Sequence, residues 1–457
     1  MPASAMIENL QATCRGEVVT RDHPDYDEVR FVRNAMHDRH PEVVVRARDV
    51  ADVIATVRTA ADSGLELAVR AGGHGVAGFG TVDDGIVLDL SRMTGVRVSP
   101  TDRTARVQGG CTWGDLDHAA HAFGLATTGG IISTTGVTGL TLGGGIGYLA
   151  RAHGLSCDNV VGADVVLADG SVVHATEKEH ADLFWALRGG GGNFGVVTEL
   201  HLQLHDVDHI YGGPMFFELE HATELLETYR DWIADAPRAM GAFPAFQIAP
   251  PLPFIPEERH GEPFVILVSC FNGPADQGAD LLAAFRDIAE PVAEHVDVMP
   301  YPALNSAFDA LIPPGLQHYW KANFVRELTD EAIAAHVDHG VRVPSLQSTM
   351  HLYPIDGAVH DVAPNETAFP NRSANFAPVI AGMWEDPADN EANVQWVRDY
   401  HAATAPHAET AGYVNFMSED DADRVRDNYG DNHPRLVAIK RQYDPDNLFH
   451  LNQNIKP

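Results

Sequence analysis

The stretch from Gly129 to Gly147, GGIISTTGVTGLTLGGGIG, constrains this chain more than any other segment, because eight of its nineteen residues are glycine, interleaved with hydroxyls and apolar side chains. A residue without a Cβ lets the backbone come close to a ligand or to another backbone. A flexible linker would be equally glycine-rich but would lack the apolar residues at nearly every second place. The segment therefore reads as backbone wrapped tightly around a large ligand. A second glycine turn, Arg70-Ala71-Gly72-Gly73-His74-Gly75, ends the strand-like run LELAV and can present amides to phosphate oxygens. A third, Gly189 to Gly195, holds a formal G-x-G-x-x-G at Gly190, Gly192 and Gly195. The dinucleotide fingerprint needs a helix directly afterwards, whereas VVTELHLQL alternates like a strand, so this match reads as a decoy.

The rest of the composition narrows the function classes. With 457 residues, 45% of them hydrophobic, the chain exceeds the size at which one core keeps growing, and two domains are expected. Its formal charge of −33 repels polyphosphates and anionic lipid, which argues against nucleic-acid and membrane partners. Four lysines against many arginines suggest a GC-rich or salt-adapted bacterial source. Cys14, Cys111, Cys157 and Cys270 are scattered, with no paired framework or C-x-x-C site. The N-terminus lacks a basic start followed by an apolar run, and no stretch of 18 apolar residues occurs. Reduced thiols and a cytoplasmic location follow as expectations. No lysine follows a glycine, which excludes a Walker A loop, and H-E-x-x-H is absent, so no metal is expected.

From about Pro41 to His205 short apolar strands alternate with helical stretches. PEVVVRARD reads as a strand, VADVIATVRTAADSG as an amphipathic helix ending at Gly64, and VVGADVVLADGSVVHA as a hairpin across Ala168-Asp169-Gly170. IVLDLSRMTGVRVSPTDRTARVQGG reads as a meander, and the pattern is α+β without a regular βαβ repeat. Beyond His205 glycine thins, proline rises, and long helices such as HATELLETYRDWIADA alternate with strands such as PFVILVSCF. The expected division is 1–205, 206–410 and 411–457. The last segment reads as a helix, a turn at Asp444-Pro445-Asp446 and an Asn-rich tail that something must hold down.

Taken together, RAGGHG, STTGVTGLTLGGGIG, HGLSCDNVVGADVVLADG, DLFWALRGGGGNFGVVTE and the closing YDPDNLFHLNQNI resemble the FAD-linked oxidases of the vanillyl-alcohol-oxidase and PCMH type, in the branch holding berberine-bridge-type enzymes and 6-hydroxynicotine oxidase. The resemblance implies a split FAD domain made of the N-terminal region and the C-terminal tail, plus a substrate domain of antiparallel sheet backed by helices. It implies that Arg70 to Val76 and the loop comprising Thr134, Thr135, Gly136, Gly139, Leu140, Gly143, Gly144, Gly145 and Gly147 cradle FAD. By position, His74 matches the histidine bonded to the flavin 8α carbon, Val197 a residue of the strand against the cofactor, and Asn452 and Asn454 the tail lining it. Two departures stand out. The place of a second, cysteinyl anchor is taken by Ile132, so Cys157 reads as a small residue in a packed loop, and Ile146 stands where many relatives carry a tyrosine.

The chemistry implied is removal of hydride from a C–H next to oxygen or nitrogen of a small molecule, while a base within hydrogen-bond reach takes the O–H or N–H proton. Tyr413 in AGYVNFMSED, read as strand-like, is the first candidate for that base. Lys321 in QHYWKANF, with Tyr319 and Trp320, comes second, and the Thr135 hydroxyl is placed to steer oxygen. Molecular oxygen is the expected electron acceptor. A dehydrogenase using another acceptor, and a degenerate binding protein, are the alternatives. Substrate identity and oligomeric state do not follow from the residues.

Overall fold

The valine run at 43–45 sets the first layer. Val43 and Val45 face one apolar cluster and Val44 another, as do Ile86, Leu88 and Val87, so both strands are covered on both sides. That burial is what strands of a parallel ladder require. The sheet runs Glu17–Thr20, Val43–Arg46, Ile86–Asp89, Leu67–Arg70; the last three strands are parallel, and the first is antiparallel to its neighbour. The helix Val50–Ser63 starts where the Asp49 carboxylate accepts from Ala51 and Asp52 amides and stops at Gly64, whose φ is 73°. One βαβ crossover is therefore present. The computed structural model describes residues 3–418, 420 and 424–457.

A second, five-stranded antiparallel sheet follows, in the order Val96–Ser99, Thr104–Gln108, Val196–Gln203, Val160–Val166, Val172–Ala175. Strict alternation builds it: Leu200 and Leu202 are buried, while Glu199, His201 and Gln203 lie on the half-exposed face. The expected hairpin across Gly170 is here. The expected meander is divided, because Ile86–Asp89 joins the first sheet and only Val96–Ser99 and Thr104–Gln108 pair with each other.

Beyond 205 the chain forms an eight-stranded antiparallel sheet spanning His209 to Trp384. Side chains of one parity, such as Met350, Leu352, Ile380 and Leu267, meet the buried faces of Ala222–Asp235, Asp330–Gly340 and Asn390–Thr404. The other parity, including Phe243, Ile266, Val268 and Tyr353, faces back toward the N-terminal half. The architecture is the α+β arrangement expected, with a helix-backed antiparallel sheet. Among the described residues no helix is long and apolar enough to cross a membrane.

The final segment returns to the first half. The helix read there is interrupted at Gly430, φ 46°, into Val425–Tyr429 and His433–Tyr443. The tail is irregular but held: the Ile455 amide donates to Asn193 Oδ1 at 2.9 Å, and Ile455 is fully buried. The segment around Tyr413 is not a strand but a 3-10 turn, Val414–Phe416, closed by the Phe416 amide on the Tyr413 carbonyl.

Candidate active site

A cavity of about 370 Å³ lies where the first two sheets, the tail and the large sheet converge. Its floor is built by glycines in contact. A Cβ on Gly72 would stand 2.5 Å from the Gly136 nitrogen, so the turn after Arg70 and the second glycine loop touch backbone to backbone. Within that loop Val137–Leu142 forms a short helix.

Many of the residues named from sequence come together around this space. Arg70, Ala71, Gly72, Gly73, His74, Gly75 and Val76 line it, as do Thr135, Gly136, Gly139, Leu140, Gly143, Val197 and Asn452. Thr134, Gly144, Gly145, Gly147 and Asn454 do not. Thr134 instead reaches the lining through its hydroxyl, 3.0 Å from His74 Nε2, and Thr135 Oγ1 lies 3.4 Å from His74 Nδ1. Gly144 and Gly145 hold the loop from behind, where an added Cβ would strike Phe369 or Ser156. Gly191, Gly192 and Gly195, set aside as a decoy, also line the cavity. The strand after them, Val196–Gln203, is as read; the absence of a following helix does not prevent close backbone approach.

The expected bases are located elsewhere. Tyr413 does not line the cavity: its buried hydroxyl accepts from the Gly145 amide at 2.7 Å and from Asn415 Nδ2 at 2.8 Å, and burial pushes its pKa up. It positions the glycine loop and is not placed to meet a substrate. Lys321 lies on the wrong parity of its strand. His318 and Trp320 face the cavity, while Lys321 Nζ sits 2.8 Å from Asp420 Oδ1 on the opposite side, beside Tyr319.

Sequence reasoning missed the polar lining supplied by the large sheet: His318, Thr349, His351 and Tyr353. His351 Nδ1 is 2.6 Å from the Tyr353 hydroxyl. Burial pulls the pKa of His351 down to about 3, and burial with Arg33 nearby does the same for His74 and His318. All three imidazoles are neutral at pH 7. A smaller apolar cavity adjoins the first, sharing Ile131, Ile132, Ile312, Thr349, His351 and Met383 with it. A strap from Asp309 to Ile312 covers this side: Asp309 Oδ1 accepts from the Ser133 amide at 2.8 Å, and Arg33 donates to the Ile312 carbonyl.

The lining fits a large polar cofactor. His318 Nε2, Thr138 Oγ1, Asn452 Oδ1, Gln453 Oε1 and Tyr429 Oη are buried and have no hydrogen-bond partner among the described residues. Orphaned buried polar atoms in such number at one place point to a ligand that satisfies them. Gly75, Gly139 and Gly192 have open space where a Cβ would project. Two glycine turns and an Asn/Gln-rich tail around an unprotonated histidine are the donor set a dinucleotide flavin would need.

Comparison with known proteins agrees with that class. A model described as FAD binding domain matches residues 41–176, and one described as berberine and berberine like matches 412–456. The chain belongs to the FAD-linked oxidoreductase family that these two regions define. It is 32% identical to (R)-6-hydroxynicotine oxidase of Paenarthrobacter nicotinovorans, with 97% of each chain covered. An FAD-linked oxidoreductase of Dictyostelium discoideum is 30% identical, over 91% of this chain and 89% of that one. The crystal structure of 6-hydroxy-D-nicotine oxidase from Arthrobacter nicotinovorans superposes with a TM-score of 0.87 at 29% identity, covering 97% and 98% of the two chains. Chitooligosaccharide oxidase shares the fold, with a TM-score of 0.82. The protein is an FAD-binding enzyme of this family.

The cysteines bear on how the flavin is held. Cys157 is fully buried in the packed cluster behind the glycine triplet, and its Sγ is 3.6 Å from Asp158 Oδ1. It does not line the cavity, and burial raises its thiol pKa, so the sulfur is neither presented nor ionised. Ile132 lines the cavity. Intact-mass measurement of Cys157→Ser is expected to show as much bound flavin as the parent protein; loss of flavin mass would implicate the sulfur.

Proposed function

We propose that the chain is an FAD-dependent oxidase with flavin bonded to His74, acting on a small, uncharged, largely apolar substrate. The observation that carries this reading is the His74 imidazole, deprotonated by its surroundings and held between Thr134 and Thr135 at the edge of the glycine cradle. A neutral imidazole retains the lone pair that bonding to carbon requires; a protonated one does not. FAD, when bound, supplies the two-electron acceptor for a hydride. In this reading residues 1–205 and 411–457 hold the cofactor, and 206–410 supplies the substrate side.

The substrate class follows from the smaller cavity. Phe243, Ala245, Ile266, Val268, Phe308, Leu311 and Met383 line it, Gln247, Gln347, Thr349 and His351 are its polar members, and among the described residues no Asp, Glu, Lys or Arg side chain belongs to it. A charged substrate would be desolvated there without a counter-ion. His351 stands at the seam of the two cavities, where a reacting C–H and its neighbouring O–H or N–H would lie. With His351 Nδ1–H donating to the Tyr353 oxygen, the Nε2 lone pair is free to take the proton, and Tyr353 fixes the tautomer and ring orientation. Thr135, on the cavity wall beside His74, is the hydroxyl available to steer oxygen.

The test is a panel of neutral aromatic and alicyclic alcohols and amines, mixed anaerobically with purified protein. A substrate is expected to bleach the flavin absorbance, and air to restore it with one hydrogen peroxide formed per substrate consumed. Bleaching reversed by dyes but not by air would replace the oxidase reading with a dehydrogenase. Bleaching by no member of the panel would refute the substrate class.

A further inference from the structure

The outer face of the five-stranded sheet carries a cluster of ligating side chains that the flavin site does not use. Strand register assembles it. Asp164 pairs with His174 on one side and with Glu199 on the other, and His201, two residues beyond Glu199, stands opposite Gly162. Side chains so paired share one face of a sheet. His174 Nδ1 is 2.6 Å from Asp164 Oδ1, and His201 Nε2 is 3.9 Å from Asp164 Oδ2. One ligand atom from each of the three lies within 4.8 Å of the other two.

The residue at 162 makes the convergence possible. A Cβ there would come 3.2 Å from His201 Nδ1 and 3.4 Å from His174 Cε1, so any side chain would press on both rings. Glycine leaves the room into which they lean, and their centroids stand 5.0 Å apart.

We propose that Asp164, His174 and His201 bind a divalent transition-metal ion of the Zn²⁺ or Co²⁺ type. A tetrahedral ion with bonds of about 2.1 Å holds its ligands about 3.4 Å apart. The present spacings bracket that value, and side-chain rotation on a fixed ladder closes them. Two imidazoles with one carboxylate suit Zn²⁺, Co²⁺ or Ni²⁺, whereas Ca²⁺ and Mg²⁺ prefer oxygen alone. Side-chain exposures of 32% for Asp164 and 37% for His174 leave water free to complete the shell. Glu199 Oε1, held by the Arg106 guanidinium at 3.3 Å, lies 3.2 Å from the same His201 Nε2, so it gives up that contact when the ion binds and stands close enough to join the shell itself. The ion would join three neighbouring strands, one of which begins at cavity-lining Val196.

The experiment is calorimetric titration of Zn²⁺, and of Co²⁺ followed by its visible absorption, into flavin-loaded protein. His174→Gln and His201→Gln are titrated in parallel. One site per chain is expected in the parent protein, with a rise in melting temperature, and each variant is expected to weaken it by at least about tenfold. Each variant is expected to keep the metal-free melting temperature and flavin spectrum, since both side chains are part-exposed. Isotherms indistinguishable between parent and variants, or no saturable site in the parent, would overturn the proposal; loss of the metal-free fold in one variant leaves the other, and Asp164→Asn, to decide it.

Discussion

Replacing His351 with Phe is expected to lower kcat/KM by at least about tenfold, and by less than the roughly 10⁴ that a proton acceptor matched to the working pH can contribute, because burial makes this imidazole a weak base. The flavin spectrum and melting temperature should change little, because Phe approximates the imidazole in shape and the ring already packs against Phe243 at 5.0 Å. Tyr353→Phe removes only the partner that orients the ring, and a smaller loss is expected. The pH profile separates the roles. With the folded-state pKa of His351 drawn down to about 3 by burial, the ring is already deprotonated across the neutral range. The parent enzyme should therefore show no acid limb from this group above about pH 4, whereas an exposed histidine would impose one near 6.5. Unchanged kcat/KM in His351→Phe would remove it from the chemistry.

Lys440→Met should strongly destabilise the fold, costing about 3–5 kcal/mol. All three ammonium protons are placed: on Asp444 Oδ2 at 2.6 Å, the Asn193 carbonyl at 2.7 Å and the Phe449 carbonyl at 2.9 Å. Neither Lys440 nor Asp444 is exposed at all. Asp444 in turn accepts from the Leu448 and Phe449 amides, folding the chain back so that Leu451, Asn452 and Gln453 reach the cavity. Methionine fills the volume but leaves the carboxylate buried without its counter-charge. A fall in the urea midpoint, with earlier proteolysis of the tail, is the expected result. Adding Asp444→Asn to Lys440→Met should recover roughly half of the loss, since an amide is less costly than an uncompensated charge. An unaltered midpoint in the single variant would show that the tail is not fastened here.

The cradle was legible in the sequence because its requirement is local. A backbone that must meet another backbone, as Gly72 meets Gly136, has to be glycine, and such residues cluster visibly. The tail was legible for a similar reason: a run of Asn before a buried Ile has no surface explanation. The proposed proton acceptor was not. His318, Thr349, His351 and Tyr353 sit in strands whose alternation gives two faces but not which face meets a cavity built by distant segments. Parity alone could have paired Trp320 with His318 and separated both from Lys321. Tyr413 misled because a tyrosine near the flavin segment looks reactive until its hydroxyl is found bonded to the Gly145 amide. Gly191 and Gly192 were dismissed by a test for one binding mode, when close approach of the chain needs only the missing Cβ.

The proposed bond between His74 and the flavin is tested most directly by acid precipitation of the purified protein, with His74→Ala beside it. The parent pellet should be yellow and fluoresce under ultraviolet light, its flavin retained through denaturation, and the variant should release all its flavin to the supernatant. A colourless parent pellet beneath a yellow supernatant, or a yellow pellet from His74→Ala, would contradict the account.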